Sequence, residues 1–220
     1  MRHLNVLIAC EESQSECIAF RELGHKAYSC DIQPCKRGGH PEWHIKGDVR
    51  PYLNGVCQFY TQDRKHHHIS RWHLIIAHPP CTYLCKVGSI HMVKDGVLVQ
   101  ERYQKMIEAR QFFYECLNAK APFVAVENPL PMARAELPQP DCFVHPYWYG
   151  HPFSKKTLYW LRNLPPLMPD SEMAVRKEFV RSSRGKYRSR TFNGIARAIA
   201  KQWGSFVVNE LGIKLKEIKE

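Results

Sequence analysis

The feature that most constrains this chain is a series of short apolar runs, each cut off by a polar residue or a proline. Residues 5–10, 26–30, 73–77 and 123–126 are such runs, and at that length they predict buried strands rather than helices. Residues 43–46, ending at Gly47-Asp48, form a weaker candidate, and 157–161 a later one. Between them the spacing predicts helices. The first covers 15–23 and stops at Gly24. A long one carries Tyr103, Met106, Ile107, Phe113, Tyr114 and Leu117 at helical intervals, and a closing one covers 194–206. The polar stretch 53–72, with His66, His67 and His68 inside it, reads as irregular. Strands alternating with helices predict an α/β fold with a mostly parallel, doubly wound sheet and helices on both faces. In such sheets ligands gather beyond the carboxyl ends of the strands. Glu11, Asp31, Asp48, Cys81 and Glu127 all fall there.

Charge narrows the partner. The 32 Lys and Arg against 21 Asp and Glu leave +11 on 220 residues, which points to an anionic partner, nucleic acid being the commonest. The excess concentrates in a basic loop or arm over 170–191. Between 176 and 190 there are seven Lys or Arg against Glu178, or +6. Arg184, Lys186, Arg188 and Arg190 belong to this run. Interleaved Ser and Gly suit an arm that contacts phosphates without reading sequence. No run approaches the roughly 18 apolar residues of a membrane span, and the first apolar run is too short for a signal-peptide core. One cytoplasmic domain over 1–220, with no membrane partner, is the expectation. The nine cysteines then read as reduced thiols.

Particular residues suggest chemistry. Asp31, after the second strand, stands where an acid can accept hydrogen bonds from both ribose hydroxyls of a nucleoside. No G-x-G-x-x-G follows the first strand, which argues against a pyrophosphate-bearing dinucleotide. Pro79 and Pro80 end the strand ladder and present Cys81, a nucleophile once ionised. Glu127, ending the next strand, can stand beside it as an acid if the two strands are neighbours. Adjacent histidines at 66–68 cannot all face one metal, and Cys81 with Cys85 would make only half a zinc site; no metal is expected. Trp43, Trp72, Trp148, Trp160 and Trp203 read as core or strand-edge anchors.

Ala77-His-Pro-Pro-Cys81, followed about 45 residues later by Val126-Glu-Asn-Pro129, resembles the paired signature of DNA (cytosine-5) methyltransferases. More narrowly, the chain resembles the small methyltransferase-like proteins of phage and prophage genomes, which lack a full target-recognition domain. The matching stretches include Tyr28-Ser-Cys-Asp31, Gly47-Asp48, Leu158-Tyr-Trp-Leu161, Arg188-Ser-Arg-Thr191 and Gln202-Trp-Gly204, from end to end and in the family's order. The resemblance implies a class I S-adenosylmethionine-dependent methyltransferase (Rossmann-like) fold, in a bacterial or phage-infected cell. It implies methyl transfer to C5 of cytosine in DNA, single- or double-stranded, through a covalent Cys81 adduct. Pro80 and Cys81 then match the nucleophile motif, and Glu127 the catalytic acid at N3 of the base. Asp31 matches the ribose-binding acid, Asp48 the contact to the adenine amino group, and Asn193 the late motif beside the methionine part.

There are departures. Cys10-Glu11-Glu12-Ser13 replaces the family's glycine-rich turn, so Glu11 is expected to face the cofactor's ammonium. Phe153, Lys155 and Thr157 stand where larger relatives carry Gln-x-Arg-x-Arg, leaving Lys155 as the polar contact to nucleic acid. About 30 residues separate Leu161 from Asn193, where larger enzymes insert a recognition domain. A protein partner or an oligomer supplying recognition is therefore open. Two alternatives stay open as well: modification of a free pyrimidine nucleotide or transfer of a related one-carbon group, and a catalytically inactive nucleic-acid-binding relative.

Overall fold

A computed structural model describes residues 3–170, 178–179 and 191–213. Numbering only the strands of the main sheet, these are β1 (Asn5–Ala9), β2 (Lys26–Asp31), β3 (His44–Lys46), β4 (Leu74–Ala77), β5 (Phe123–Asn128), β6 (Cys142–Val144) and β7 (Thr157–Arg162). The three long helices are α1 (Ser15–Glu22), α2 (Gln100–Leu117) and α3 (Asn193–Glu210). The seven strands lie in the order β3-β2-β1-β4-β5-β7-β6. The first five are parallel to one another, and β7 runs antiparallel to both β5 and β6. The chain builds outward from β1 to β3, then crosses back to lay β4 on the other side of β1. The order thus reverses between β1 and β4, the place where a doubly wound sheet opens a crevice. This is a Rossmann-like arrangement.

Period-two side-chain alternation makes both faces apolar. Leu7, Ala9, Ile75, Ala77, Val124 and Val126 pack on one face with Met106, Phe113 and Cys116 of α2. Val6, Ile8, Leu74, Ile76 and Ala125 pack on the other with Cys17 and Phe20 of α1 and Ile199, Trp203 and Val207 of α3. A parallel strand covered on both sides must be apolar at successive positions, which is why these runs are continuous. Trp72, Trp160 and Trp203 are fully buried anchors, and Trp43 and Trp148 are half-buried. Gly194 lets α3 start tight against the short turn Pro146–Tyr149: a Cβ there would lie 2.0 Å from the Tyr149 carbonyl oxygen.

Two elements depart from the sequence expectation. Residues 53–72 are not irregular throughout, because Gln58–Tyr60 and His66–His68 pair as an antiparallel hairpin. Within it only the central histidine turns inward: His67 stacks on Phe59 and lies 3.2 Å from the Tyr28 hydroxyl. The antiparallel edge strand β6 was also not anticipated. All nine cysteines are free, and Cys17, Cys30 and Cys116 are buried. Among the described residues no helix is long and apolar enough to cross a membrane. The basic run that holds Arg184, Lys186, Arg188 and Arg190 lies outside the described residues.

Candidate active site at the carboxyl ends of β4 and β5

The register between β4 and β5 sets Ala77 opposite Val126, so His78, just past the end of β4, stands beside Glu127, which is still in β5 and paired with Tyr159 of β7. Beyond them the two loops are stitched together. Asn128 donates from Nδ2 to the Pro79 carbonyl at 3.3 Å. The amides of Lys86 and Met132 donate to the carbonyls of Leu130 and Leu84, each at 2.8 Å, and Cys85 bridges Pro131. Two prolines stiffen each loop, 79–80 and 129/131. Cys81 is therefore held on a short braced turn, with its own carbonyl accepting the Leu84 and Cys85 amides. Pro79 is buried and Pro80 exposed, while Cys81 is half-buried.

The electrostatics connect three groups. Burial first, then Cys85 and the Glu127 charge, push the Cys81 thiol up to about 11, while the Lys155 ammonium pulls it down. The same lysine acts on Glu127. Burial would raise that carboxyl, but the His78 hydrogen bond and the Lys155 and His78 charges outweigh it and hold Glu127 below its usual range. Glu127 and Lys155 share a narrow recess with Thr157, Tyr159, Thr191 and Phe192. Cys81, Glu127 and Lys155, up to 74 residues apart in sequence, thus come together at one end of the sheet. A thiol within electrostatic reach of a carboxyl group and an ammonium can add to an electron-poor ring, the ammonium and a protonated carboxyl steadying the displaced charge. Among the described residues no three His, Cys, Asp or Glu side chains converge as metal ligands.

Around the switch point lies a second group. Asp31 ends β2, half-buried, and its Oδ1 accepts the Gln33 amide at 2.8 Å. Asp48 follows β3, exposed, accepting the Arg50 amide at 3.0 Å and pairing with its guanidinium at 3.4 Å. Both acids act on Cys10, whose thiol burial and their charges push up to about 12. Cys10 takes the place of a turn glycine, with φ of 61°, in the left-handed region that non-glycine residues seldom occupy. Glu11 has a structural partner in hand. It is buried, and its carboxylate accepts the amides of Glu16 at 2.7 Å and Cys17 at 3.3 Å, capping α1 from outside the usual N-cap position, which Gln14 holds with no side-chain cap of its own. Burial and the neighbouring Glu16 push Glu11 up to about 8. Asn193 is the first, exposed residue of α3, next to Thr191 and Phe192 of the recess.

Sequence reasoning missed three side chains here. His78 sits inside the quoted motif without a role, yet its ring lies 3.2 Å from Glu16 and 3.5 Å from Glu127. Glu16 is fully buried; its only sequence signal is a carboxylate in a helix's first turn, which usually means solvent and the helix dipole. Asn128, fully buried, ties the end of β5 to the loop that carries Cys81.

No known protein family is matched by this sequence, and no curated protein is similar to it. Among solved structures it is similar to an E. coli prophage protein described as a candidate DNA modification methyltransferase. The two share 14% identity at a TM-score of 0.42, over 72% of this chain and 46% of that one. The chain thus spans about half the length of that structure, a likeness too distant to bear on any residue's role.

Proposed function

We propose that this chain methylates C5 of a pyrimidine, cytosine in DNA, by covalent catalysis through Cys81, with S-adenosylmethionine as methyl donor. The observation that carries the reading is the meeting of Cys81, Glu127 and Lys155 on braced loops at adjacent strand ends.

The residues present fit the cofactor. A nucleoside without phosphates needs acceptors for hydroxyl and amino groups and an apolar surface for a purine. Among the described residues, only one of the two carboxylate oxygens of Asp31 is engaged by a neighbour. Asp48 is a second acceptor close by, and Ile32, directly after Asp31, is 71% exposed. In this reading Asp31 takes the ribose, Asp48 the adenine amino group, and Ile32 one purine face, with Asn193 beside the methionine part. Glu11, already bonded to two amides, serves the cofactor's ammonium only through the turn it holds. When bound, S-adenosylmethionine supplies an electrophilic methyl on a sulfonium.

The chain's own residues do the rest. Cys81 is a neutral thiol at rest, so its proton must leave as the base arrives, and Lys155 favours the anion left behind. The thiolate then forms the Sγ–C6 bond. The C5–C6 π pair moves toward C5 and, through conjugation, toward N3; Glu127, ionised at rest, steadies that charge by taking up the proton that leaves Cys81 and donating it in a hydrogen bond to N3. This makes C5 nucleophilic enough to take the methyl that a bound donor would supply, the pair of the broken carbon–sulfur bond staying with the donor's sulfur. In release, the C5 proton goes to a base, its bonding pair re-forms the double bond, and the Sγ–C6 bond breaks, returning the pair to sulfur.

The net charge of +11 supports an anionic macromolecule, with Lys155 at the site and Arg184, Lys186, Arg188 and Arg190 as phosphate contacts. A base inside a duplex must be flipped out to be attacked at C6, a cost that a single strand avoids. The test is nucleoside analysis by mass spectrometry after incubation with cofactor and single-stranded DNA, duplex DNA or dCMP. The expected product is 5-methylcytosine from an oligonucleotide, lost in Cys81→Ala while cofactor binding by calorimetry persists. Product from dCMP alone would assign a nucleotide substrate. Cofactor binding without product from any substrate would assign an inactive relative.

A further inference from the structure

We infer that His78 is a positioning residue: a doubly protonated imidazole clamped between Glu16 and Glu127, which fixes the orientation of the Glu127 carboxylate toward the base. The inference rests on the reading of Glu127 given above, and it adds a residue and a charge that the reading does not require.

The argument is one of donors and acceptors. A neutral imidazole has one N–H and one lone pair, and only the doubly protonated ring has a proton on each nitrogen. Nδ1 of His78 hydrogen-bonds Oε2 of Glu127 at 3.5 Å. Nε2 lies 3.2 Å from Oε2 of Glu16, an ion-pair distance at which the two buried atoms are not aligned as a hydrogen bond, and neither has another partner among the described residues. With a carboxylate at each ring nitrogen, a neutral ring would turn a lone pair toward one of the acids. The Glu16 side chain is wholly buried and those of His78 and Glu127 are 11% and 16% exposed, so water is poorly placed to relieve that clash. The charged groups nearest the ring are acids. Glu16 comes from α1, Glu127 from β5 and Glu11 from the loop before α1, all acids. The cation Lys155 acts on Glu127, and Tyr159 of β7 faces Glu16 and Glu127. The two carboxylates outweigh the opposing effect of burial and raise His78 well above its ordinary value.

The clamp is also anchored. The His78 amide donates to the Ala9 carbonyl at 2.9 Å, and Glu16's own amide is held by Glu11. The imidazolium therefore joins the β1–α1 half of the site to the β4–β5 half across the switch point. With Oε2 of Glu127 turned to His78, the other oxygen is left for the base.

Histidine-selective ¹⁵N labelling gives a readout that does not depend on activity. Of the twelve histidines, His78, assigned by its loss in His78→Gln, should keep both ring N–H protons at pH 8. In Glu16→Gln, and separately in Glu127→Gln, its titration should fall by about one pH unit or more, a tenfold loss of proton affinity. Unchanged signals from the other histidines show that a variant is folded; if one fails to fold, the other decides. A wild-type His78 titrating near 6.5, or one unmoved by both substitutions, overturns the inference. For function, adduct formation with a 5-fluorocytosine oligonucleotide should slow roughly 100-fold in His78→Leu, with an altered pH profile. His78→Asn, which restores one N–H donor, should recover most of the rate. Equal rates in His78→Leu and wild type overturn the positioning role. The ¹⁵N signature in a wild type that forms no adduct supports the clamp and removes the methylation reading instead.

Discussion

Alkylating Cys81 across a range of pH probes the resting state of the nucleophile. Burial, Cys85 and the Glu127 charge push its thiol up to about 11. At pH 7.5 such a thiol is ionised in roughly one molecule in 3,000, against roughly one in ten for a free cysteine near 8.5. The rarer thiolate is the stronger nucleophile, and a Brønsted slope of about 0.4–0.5 returns roughly tenfold of that deficit. Cys81 should therefore react roughly 30-fold more slowly than a free thiol at pH 7.5, and its rate should climb about tenfold per pH unit to beyond pH 10. Native protein is pulsed with iodoacetamide from pH 7 to 10.5, and the Cys81 peptide is followed by mass spectrometry. The half-buried position slows reagent at every pH alike, so the slope decides. In Lys155→Met, loss of the ammonium should push the inflection higher still. A plateau reached by pH 8.5, or an inflection unmoved by that substitution, would refute the electrostatic picture of a neutral thiol steadied by Lys155.

Three further outcomes follow from other parts of the structure. Arg162 ends β7 and donates to the carbonyls of Leu117, Ala119 and Ala121, capping the end of α2, so Arg162→Ala should cost about 2–4 kcal/mol in urea unfolding; a loss under about 0.5 would mean that water replaces the guanidinium freely. Glu11, pushed up to about 8 from an ordinary 4.5, binds its proton more tightly folded than unfolded. Its contribution is fully present below pH 4.5 and is lost as pH rises toward 8, and His78, also raised, adds the same sign above 6.5. Wild-type stability should then fall between pH 6 and 8, at up to about 1.4 kcal/mol per pH unit for each such group, and Glu11→Gln should flatten the fall; identical slopes would contradict this. Asp31→Ala should weaken S-adenosylmethionine by roughly 10- to 100-fold in calorimetry, the scale of lost hydrogen bonds to a ligand, with an unchanged melting temperature, whereas unchanged affinity would remove Asp31 from the cofactor site.

The strands were legible wherever burial on both faces forces a continuous apolar run. Residues 73–77 and 123–126 fall within a residue or two of β4 and β5, and α2 follows the periodic stripe from Tyr103 to Leu117. What escaped lies where sequence pattern carries no direction. His66, His67 and His68 are identical, so nothing in them tells that only the middle one turns inward. The strand β6 is three residues long and follows a proline-rich stretch, so it offers too little periodicity to read. In the candidate site, Cys81 and Glu127 stand out in the sequence because each follows an apolar run, Cys81 after two prolines, and the β4–β5 pairing sets those two strand ends side by side. His78 and Glu16 do not stand out. Their partnership depends on how α1 lies over the sheet, and a charged residue in a first helical turn ordinarily faces water. Glu11 carries a part the sequence pattern does not show: its carboxyl group accepts the amides that open α1.

The central claim is that the sulfur of Cys81 bonds a pyrimidine ring that Glu127 holds from its other side. Intact-protein mass spectrometry after incubation with S-adenosylmethionine and a 5-fluorocytosine oligonucleotide tests it most directly, because fluorine at C5 blocks the final elimination. The account predicts a protein–oligonucleotide adduct that maps to Cys81, is absent in Cys81→Ala and is strongly reduced in Glu127→Gln. No adduct on single-stranded or duplex DNA, or an adduct that maps to another cysteine, would contradict it.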